Sequence, residues 1–205
     1  MAHDPAEARL IERICKGERE LFYELIRPHE RAVYLVAYSV LRNEADAEDV
    51  AQESILKAFR SLPDFRGDSK FQHWLVKIAL NEARMRYRKR LAEHLESLDD
   101  EREGDDSDYT PLQIADWREL PPDVLARKEI REEIQRAVDK LPEKYREVLV
   151  LRDIEEMSIA ETAQILDLTE ATVKVRLFRA RLRLRDMLVE RLPAYSRTMK
   201  KVQGW

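Results

Sequence analysis

A strongly acidic segment divides this chain into two parts. Residues 93–108 carry nine acidic side chains and one arginine, with Gly104 among them. The stretch from 109 to 122 adds three prolines and has little hydrophobic periodicity. Carboxylates at this density repel one another, and the segment has too little apolar surface to build a core. We therefore predict an acidic linker over residues 97–122, with a compact unit on each side of it.

Both flanking parts are predicted to be helical. Only four of the 205 residues are glycine and eight are proline, and apolar residues recur at the spacing of three and four that is typical of amphipathic helices. We place helices near residues 6–27, 30–42, 44–62 and 70–95, and then near 123–140, 143–154, 158–166 and 170–191. The predicted fold class is all-α, with two small helical domains over residues 1–96 and 123–192, the linker over 97–122 and a tail over 193–205.

Several classes of protein are excluded by the composition. A single cysteine, Cys15, rules out an intramolecular disulfide and a cysteine-based zinc site. The sequence has no signal-peptide pattern, and no apolar run approaches the roughly 18 residues of a membrane span. It also has no glycine-rich phosphate loop, nucleophile elbow or histidine–carboxylate cluster. We expect a cytoplasmic protein without membrane insertion, and we expect no catalytic residues, no cofactor and no metal site.

The helix near 44–62 has an apolar face and a polar face. Four polar side chains and one leucine define the middle of the polar face: Asp46, Asp49, Gln52, Glu53 and Leu56. An apolar residue centred in an acidic stripe suggests a surface that binds a partner protein. A solvated face with one stray leucine is the alternative, because isolated exposed leucines are common.

The helix near 70–95 carries a basic stripe. The residues predicted to face the core are Phe71, Trp74, Leu75, Ile78 and Met85, whereas the opposite arc contains Lys70, His73, Lys77, Asn81, Arg84 and Arg88. Lysine and arginine neutralise phosphates, and asparagine can hydrogen-bond a base edge. Phe65 and Arg66 in the preceding loop are suited to stack on an unpaired base. The arc therefore indicates nucleic-acid binding, with a solubilising charged stripe as the alternative. We expect Asp68 or Ser69 to cap this helix.

Residues 158–191 have the pattern of a helix-turn-helix. Ser158 is expected to cap the first helix and Thr169 the second, with Asp167 in a left-handed turn conformation. Residues 171–185 contain six basic residues and no acidic one. A positive helix with exposed residues near its start suits reading of the major groove, where Arg179 can contact guanine and Val175 a thymine methyl. An ordinary helical pair with a basic surface is the alternative.

These segments together resemble the bacterial sigma-70 family, in its extracytoplasmic-function (ECF) group. Residues 46–59 and 65–84, DAEDVAQESILKAF and FRGDSKFQHWLVKIALNEAR, resemble the second conserved region of the family. Residues 141–188 resemble the fourth region, although Thr162 stands where an aliphatic residue is frequent. The resemblance covers about 20–95 and 125–190, and two such matches in the expected order are far more specific than a lone helix-turn-helix.

The resemblance implies a two-domain helical protein that binds core RNA polymerase and promoter DNA and is controlled by an anti-sigma factor. It implies that the clamp helices of the largest polymerase subunit meet the acidic stripe: Asp46, Asp49, Gln52, Glu53 and Leu56. It implies that a flipped base and the single strand of the −10 element are bound by Phe65, Arg66, Asp68, Ser69, Lys70, Lys77, Asn81, Arg84 and Arg88. It implies that the duplex −35 element is read by Thr172, Lys174, Val175, Arg176, Phe178 and Arg179.

A helix-turn-helix repressor whose first domain binds a ligand or dimerises is the competing interpretation. It predicts tight and specific duplex binding without polymerase. It does not account for Leu56 in its acidic stripe or for the base-binding loop near Phe65. A hydrolytic enzyme is a remote third interpretation, because the sequence offers none of the motifs that such chemistry needs.

Overall fold

A computed structural model describes residues 5–94 and 128–191, of which 5–94 lie in one compact unit and 128–191, apart from Gln164–Asp167, lie in a second. Every regular element within them is helical, as predicted. The predicted linker, 97–122, and the predicted tail, 193–205, lie outside the described residues, so the domain boundaries at 96, 123 and 192 stay predictions. None of the described helices combines the length and the apolar character that crossing a bilayer requires.

The described residues 5–94 form five α-helices. They are α1 (Pro5–Cys15), α2 (Phe22–Ile26), α3 (Glu30–Leu41), α4 (Glu44–Ser61) and α5 (Phe71–His94), with short 3₁₀ turns before α2, before α3 and after α4. The side chain of Asn43 accepts a hydrogen bond from the backbone N–H of Asp46 at 3.0 Å, so α4 begins with the predicted cap. Helix α3 packs on both α4 and α5, and Val33, Val36 and Leu75 are among the side chains buried there.

The described residues 128–191 form four α-helices. They are α6 (Lys128–Asp139), α7 (Glu143–Leu149, continued by a π turn over Val150–Ile154), α8 (Ile159–Leu166) and α9 (Glu170–Arg191). Leu184 and Leu188 of α9 are fully buried, and α9 packs on α7 and α6. Buried Arg146 donates from Nη1 to the carbonyl oxygens of Leu141 and Asp139, at 2.6 and 3.2 Å. This arginine is therefore a structural residue that satisfies backbone acceptors beyond the end of α6.

Two sequence predictions about α5 were wrong. His73, predicted to be a surface residue, is only 6% exposed, whereas Met85, predicted to face the core, is 55% exposed. His73 is buried because Val76 and Leu80, one and two turns later on the same face, pack into the interior. Met85 is exposed because the later part of α5 has little packed against it: the described side chains over 87–92 are all exposed.

Candidate protein and nucleic-acid interfaces

The acidic stripe of α4 lies on the surface of the first unit. Gln52, Glu53 and Asp49 are exposed, and Leu56 between them is 55% exposed. The helix buries its opposite side through small residues: Ala47, Val50, Ala51, Ser54 and Ala58. Leu56 also lines a shallow groove of about 590 Å³ between α4 and α5. The structure thus leaves an apolar side chain exposed at a position where polar neighbours surround it.

Two acids of this stripe contact basic side chains of α5. Arg86 lies between them, with its Nη2 3.4 Å from Asp49 Oδ2 and its Nε 3.9 Å from Asp46 Oδ1. Arg90 forms a second ion pair with Asp46. Asp46 is consequently only half-exposed, so Asp49, Gln52, Glu53 and Leu56 are the more accessible members of the predicted set.

A fourth ion pair joins the same two helices in the lining of the groove. Lys57 of α4 pairs with Glu82 of α5, whose side chain is almost completely buried. Sequence reasoning did not single out either residue. Glu82 is the one acid in the basic run over residues 70–90, and a lone acid in such a run indicates an internal partner because a buried carboxylate needs a compensating charge.

The loop before α5 is held by aromatic packing. The ring of Phe65 lies 5.1 Å from the ring of Trp74 and 5.8 Å from that of Phe71. Phe65 is half-buried, whereas Arg66 and Asp68 are exposed, and Gly67 between them has a positive φ of 76°. The ring is therefore anchored to the core side of α5 and the neighbouring polar side chains project from it, which gives the loop a defined shape.

The first backbone hydrogen bonds of α5 run to the carbonyl of Lys70, and the hydroxyl of Ser69 lies 3.4 Å from that same carbonyl oxygen. A capping bond from Asp68 or Ser69 stays a prediction. Along α5, Asn81 and Arg88 are exposed, and Lys77 and Arg84 are half-exposed on the same side. The structure thus brings the loop and this row of polar side chains onto one surface, which faces away from the α4 ion pairs.

The helix-turn-helix is built by local hydrogen bonds. Ser158 and Glu161 form a reciprocal cap, with Ser158 N–H donating to the Glu161 carboxylate at 2.7 Å and Glu161 N–H donating to Ser158 Oγ at 3.2 Å. Asp167 has the predicted left-handed conformation, with a φ of 56°. Thr169 Oγ1 accepts from Thr172 N–H at 3.1 Å, which confirms the predicted cap of α9. Thr162 is fully buried, and its hydroxyl donates to the Ser158 carbonyl.

The predicted reading residues lie in the first half of α9. Lys174 is exposed there, and Val175, Arg176, Phe178 and Arg179 are half-exposed. Thr172 is also half-exposed, and its backbone and hydroxyl take part in the cap. Further along the helix, Arg181 pairs with Asp153, and the guanidinium of Arg183 lies 4.8 Å from the ring centre of Tyr145. All six predicted residues therefore keep some accessible surface, and their role in reading DNA stays a prediction.

Comparison with known families supports the interpretation of both units. Residues 25–93 match the sigma-70 region 2 family, and residues 131–184 match the sigma-70 region 4 family. The first match contains α4, the loop and nearly all of α5, and the second contains the helix-turn-helix.

Full-length relatives match across both units. The chain is 35% identical to the ECF RNA polymerase sigma factor SigW of Bacillus subtilis, over 87% of this chain and 94% of that protein. It is 32% identical to the ECF RNA polymerase sigma-E factor of Escherichia coli K12, over 88% of this chain and 93% of that protein. The chain belongs to the ECF group of the sigma-70 family of RNA polymerase sigma factors.

Two solved structures share the fold. The Bartonella quintana sigma factor RpoE, solved in complex with the anti-sigma factor NepR, has a TM-score of 0.62 at 25% identity, covering 82% of this chain and 96% of that one. CnrH, solved in complex with the cytosolic domain of CnrY, has a TM-score of 0.61 at 30% identity, covering 91% and 99%. Sigma factors bind core RNA polymerase and promoter DNA and contribute no covalent chemistry, so the sequence prediction of a promoter-specificity subunit is confirmed.

Proposed function

We propose that three surfaces of this sigma factor divide the work of initiation: the stripe on α4 binds polymerase, the loop and exposed face of α5 hold the melted −10 element, and the first half of α9 reads the −35 element. The family matches over residues 25–93 and 131–184 carry the proposal, because they contain all three surfaces, and Leu56, 55% exposed between Gln52 and Glu53, gives the first surface an apolar centre.

The polymerase surface combines an apolar centre with an acidic rim. Leu56 offers apolar area to the clamp helices of the largest polymerase subunit, and Glu53 and Asp49 beside it attract basic side chains of that partner. Gln52 adds a hydrogen-bonding group, and Asp46 lies at the edge of this surface beside Arg86 and Arg90. Removal of Leu56 is therefore expected to weaken the complex without unfolding the domain.

The −10 surface binds a base that duplex DNA does not offer. Phe65 and Arg66 form one wall for an unstacked base, with Asp68, Ser69 and Lys70 at its edge, and Asn81 supplies an amide to its polar edge. Lys77, Arg84 and Arg88 then neutralise the phosphates of the same strand. Unpairing costs a few kcal/mol, and binding the released base offsets that cost. The domain thus favours the melted state through binding alone.

The −35 surface lies where the recognition helix of a helix-turn-helix meets the major groove. Lys174 and Arg176 are suited to phosphates, whereas Val175, Phe178 and Arg179 are suited to base edges. Thr172, at the start of α9, places its hydroxyl beside the cap and near the backbone of the DNA. Duplex reading by this unit places the first unit over the −10 element.

The solved complex of the Bartonella quintana sigma factor RpoE with the anti-sigma factor NepR supports control of this chain by an anti-sigma factor. We extend this regulation to the present chain. We also propose that the protein acts in the cytoplasm, where bacterial polymerase transcribes. Loss of run-off transcription when a protein that co-purifies with this chain from its own cells is added, with recovery when it is removed, is the corresponding test.

Run-off transcription with core polymerase on a genomic library tests the function as a whole. Transcripts that start at a common −35 and −10 pair, and only when the protein is present, are the expected result. Gel shifts with and without core polymerase separate this function from the repressor interpretation. Strong and specific duplex binding by the protein alone would favour the repressor.

A further inference from the structure

Four ion pairs connect α4 to α5 in antiparallel order. Lys57 pairs with Glu82, Arg86 pairs with both Asp49 and Asp46, and Arg90 pairs with Asp46. We call this set the α4–α5 ladder. The sign of the charge reverses along it, because α4 supplies the cation in the first pair and the anion in the other three.

Apolar packing between α4 and α5 leaves room for a further determinant of register. The fully buried side of α4 carries alanine at positions 47, 51 and 58, with Val50, while Ile55 and Phe59 pack at its edge. Small side chains form shallow ridges, so they resist sliding less than large interdigitating ones do. Charged contacts can therefore add to the register that packing sets.

The charge reversal supplies that determinant. If the helices slid by one turn, of about four residues, Lys57 would face Arg86 in one direction, and Glu53 would face Glu82 in the other. Both shifts break the Lys57–Glu82 pair and bring like charges together at that end, whereas Asp46 keeps an arginine neighbour because it already contacts both Arg86 and Arg90, one turn apart. The second shift does so around a buried carboxylate, where an uncompensated charge is most costly. Fixing register is the best-attested role of buried charged groups.

The ladder lies on the side of α5 opposite the DNA face. Arg86 follows Asn81 by five residues and precedes Arg88 by two, so it lies about 140° and about 160° from them around the helix. One side of α5 thus carries the predicted DNA contacts, and the opposite side carries the charges that pair α5 with α4, the helix that bears the polymerase stripe.

We propose that the α4–α5 ladder positions the base-binding face of α5 relative to the polymerase stripe of α4, so that a holoenzyme presents this face to the −10 strand in the right place. Lys57, Glu82, Arg86 and Arg90 are positioning residues in this scheme. The inference rests on the proposed function of the two surfaces. It adds residues that touch neither the captured base nor the phosphates of the −10 strand.

The variant Glu82→Gln, in the full-length chain, tests the proposal through two DNA measurements. Open-complex formation by the reconstituted holoenzyme is expected to fall about fivefold or more, since small misplacements of a binding group are costly. Binding of a single-stranded −10 oligonucleotide to the free chain, measured by fluorescence anisotropy at low salt, is expected to stay within about twofold of wild type. A merely structural role would lower both values together.

A double variant that exchanges the charges of Lys57 and Glu82 is the rescue experiment. Lys57→Glu combined with Glu82→Lys is expected to return open-complex formation to within about twofold of wild type. Glu48→Gln, which removes an exposed charge of α4 outside the ladder, is the matched control and is expected to leave both measurements unchanged. Failure of the rescue, or an equal loss in the control, overturns the proposal.

A second variant keeps the test decisive if Glu82→Gln does not fold. Arg86→Gln with Arg90→Gln removes the partly exposed end of the ladder and is expected to show the same split between the two DNA measurements. Parallel losses in both measurements, or no loss in either, contradict the ladder. Absence of initiation by the wild-type chain would instead contradict the proposed function on which the ladder rests.

Discussion

The guanidinium of Arg181 forms a two-point ion pair with the buried carboxylate of Asp153. Its Nε and Nη2 donate to the two carboxylate oxygens at 2.9 and 2.6 Å. Asp153 lies in the π turn after α7, so the pair ties the middle of α9 to the rest of its unit. A basic residue within the recognition helix is therefore structural, although its position in the basic run over 171–185 resembles that of a DNA contact.

Arg181→Ala is expected to destabilise the second unit by about 3 kcal/mol, because it leaves a buried carboxylate without its counter-charge. Urea unfolding followed by circular dichroism measures the change. Arg185→Ala is the matched control, since Arg185 pairs with exposed Asp186 and is expected to cost about 0.5 kcal/mol or less. Equal losses in the two variants would show that the Asp153 pair is no stronger than a surface contact.

Leu56→Ala is expected to weaken binding to core polymerase about tenfold, because central apolar contacts dominate protein interfaces. The free energy of unfolding is expected to change by less than about 0.5 kcal/mol, since Leu56 is exposed in the free chain. Titration of labelled protein with core enzyme measures the affinity. Tyr23→Ala removes an exposed aromatic side chain of α2 and is expected to have no effect. A normal affinity for the Leu56 variant would contradict the assignment of the stripe.

Asn81→Ala is expected to impair promoter melting more than promoter binding. The exposed amide lies beside the base-binding loop in our proposal, so its loss removes a contact made only to the melted strand. Permanganate reactivity of thymines in the −10 element measures melting, and a gel shift measures binding. Gln72→Ala removes an amide from the opposite side of α5 as a control. Unchanged thymine reactivity in the Asn81 variant would count against base capture.

Arg179→Ala is expected to weaken −35-dependent binding by about 1–3 kcal/mol if the side chain reads a base. The loss should disappear when the −35 sequence is scrambled, and an equal loss on scrambled DNA would indicate a phosphate contact instead. Arg183→Ala, whose guanidinium stacks over Tyr145, is expected to leave the sequence preference unchanged. Holoenzyme affinity for the two templates provides the measurement.

Much of the fold could be predicted from the sequence because helices depend on local signals. Asn43, Ser158 and Thr169 cap the helices that they precede, and Asp167 takes the predicted left-handed turn. A cap or a turn is decided by residues within four positions of one another. The periodicity of α4 likewise placed Leu56 on the exposed side correctly.

The partners of individual charged and polar residues depended on tertiary structure. His73 is buried and Met85 is exposed because α5 packs on neighbours along only part of its length. Arg86, Arg90 and Arg181 look in the sequence like the cations that we assign to DNA, yet they hold helices together.

By itself, the sequence determined most of the helices, the caps at Asn43, Ser158 and Thr169 and the stripes that mark candidate surfaces, since all of these follow from spacing along the chain. Only the tertiary structure decided which cations are held in internal ion pairs, such as Arg181 with Asp153, and which polar residues are buried. The physical reason is distance: an ion pair forms between side chains that folding brings within a few ångströms, and Asp153 and Arg181 are separated by more than two dozen positions in the chain.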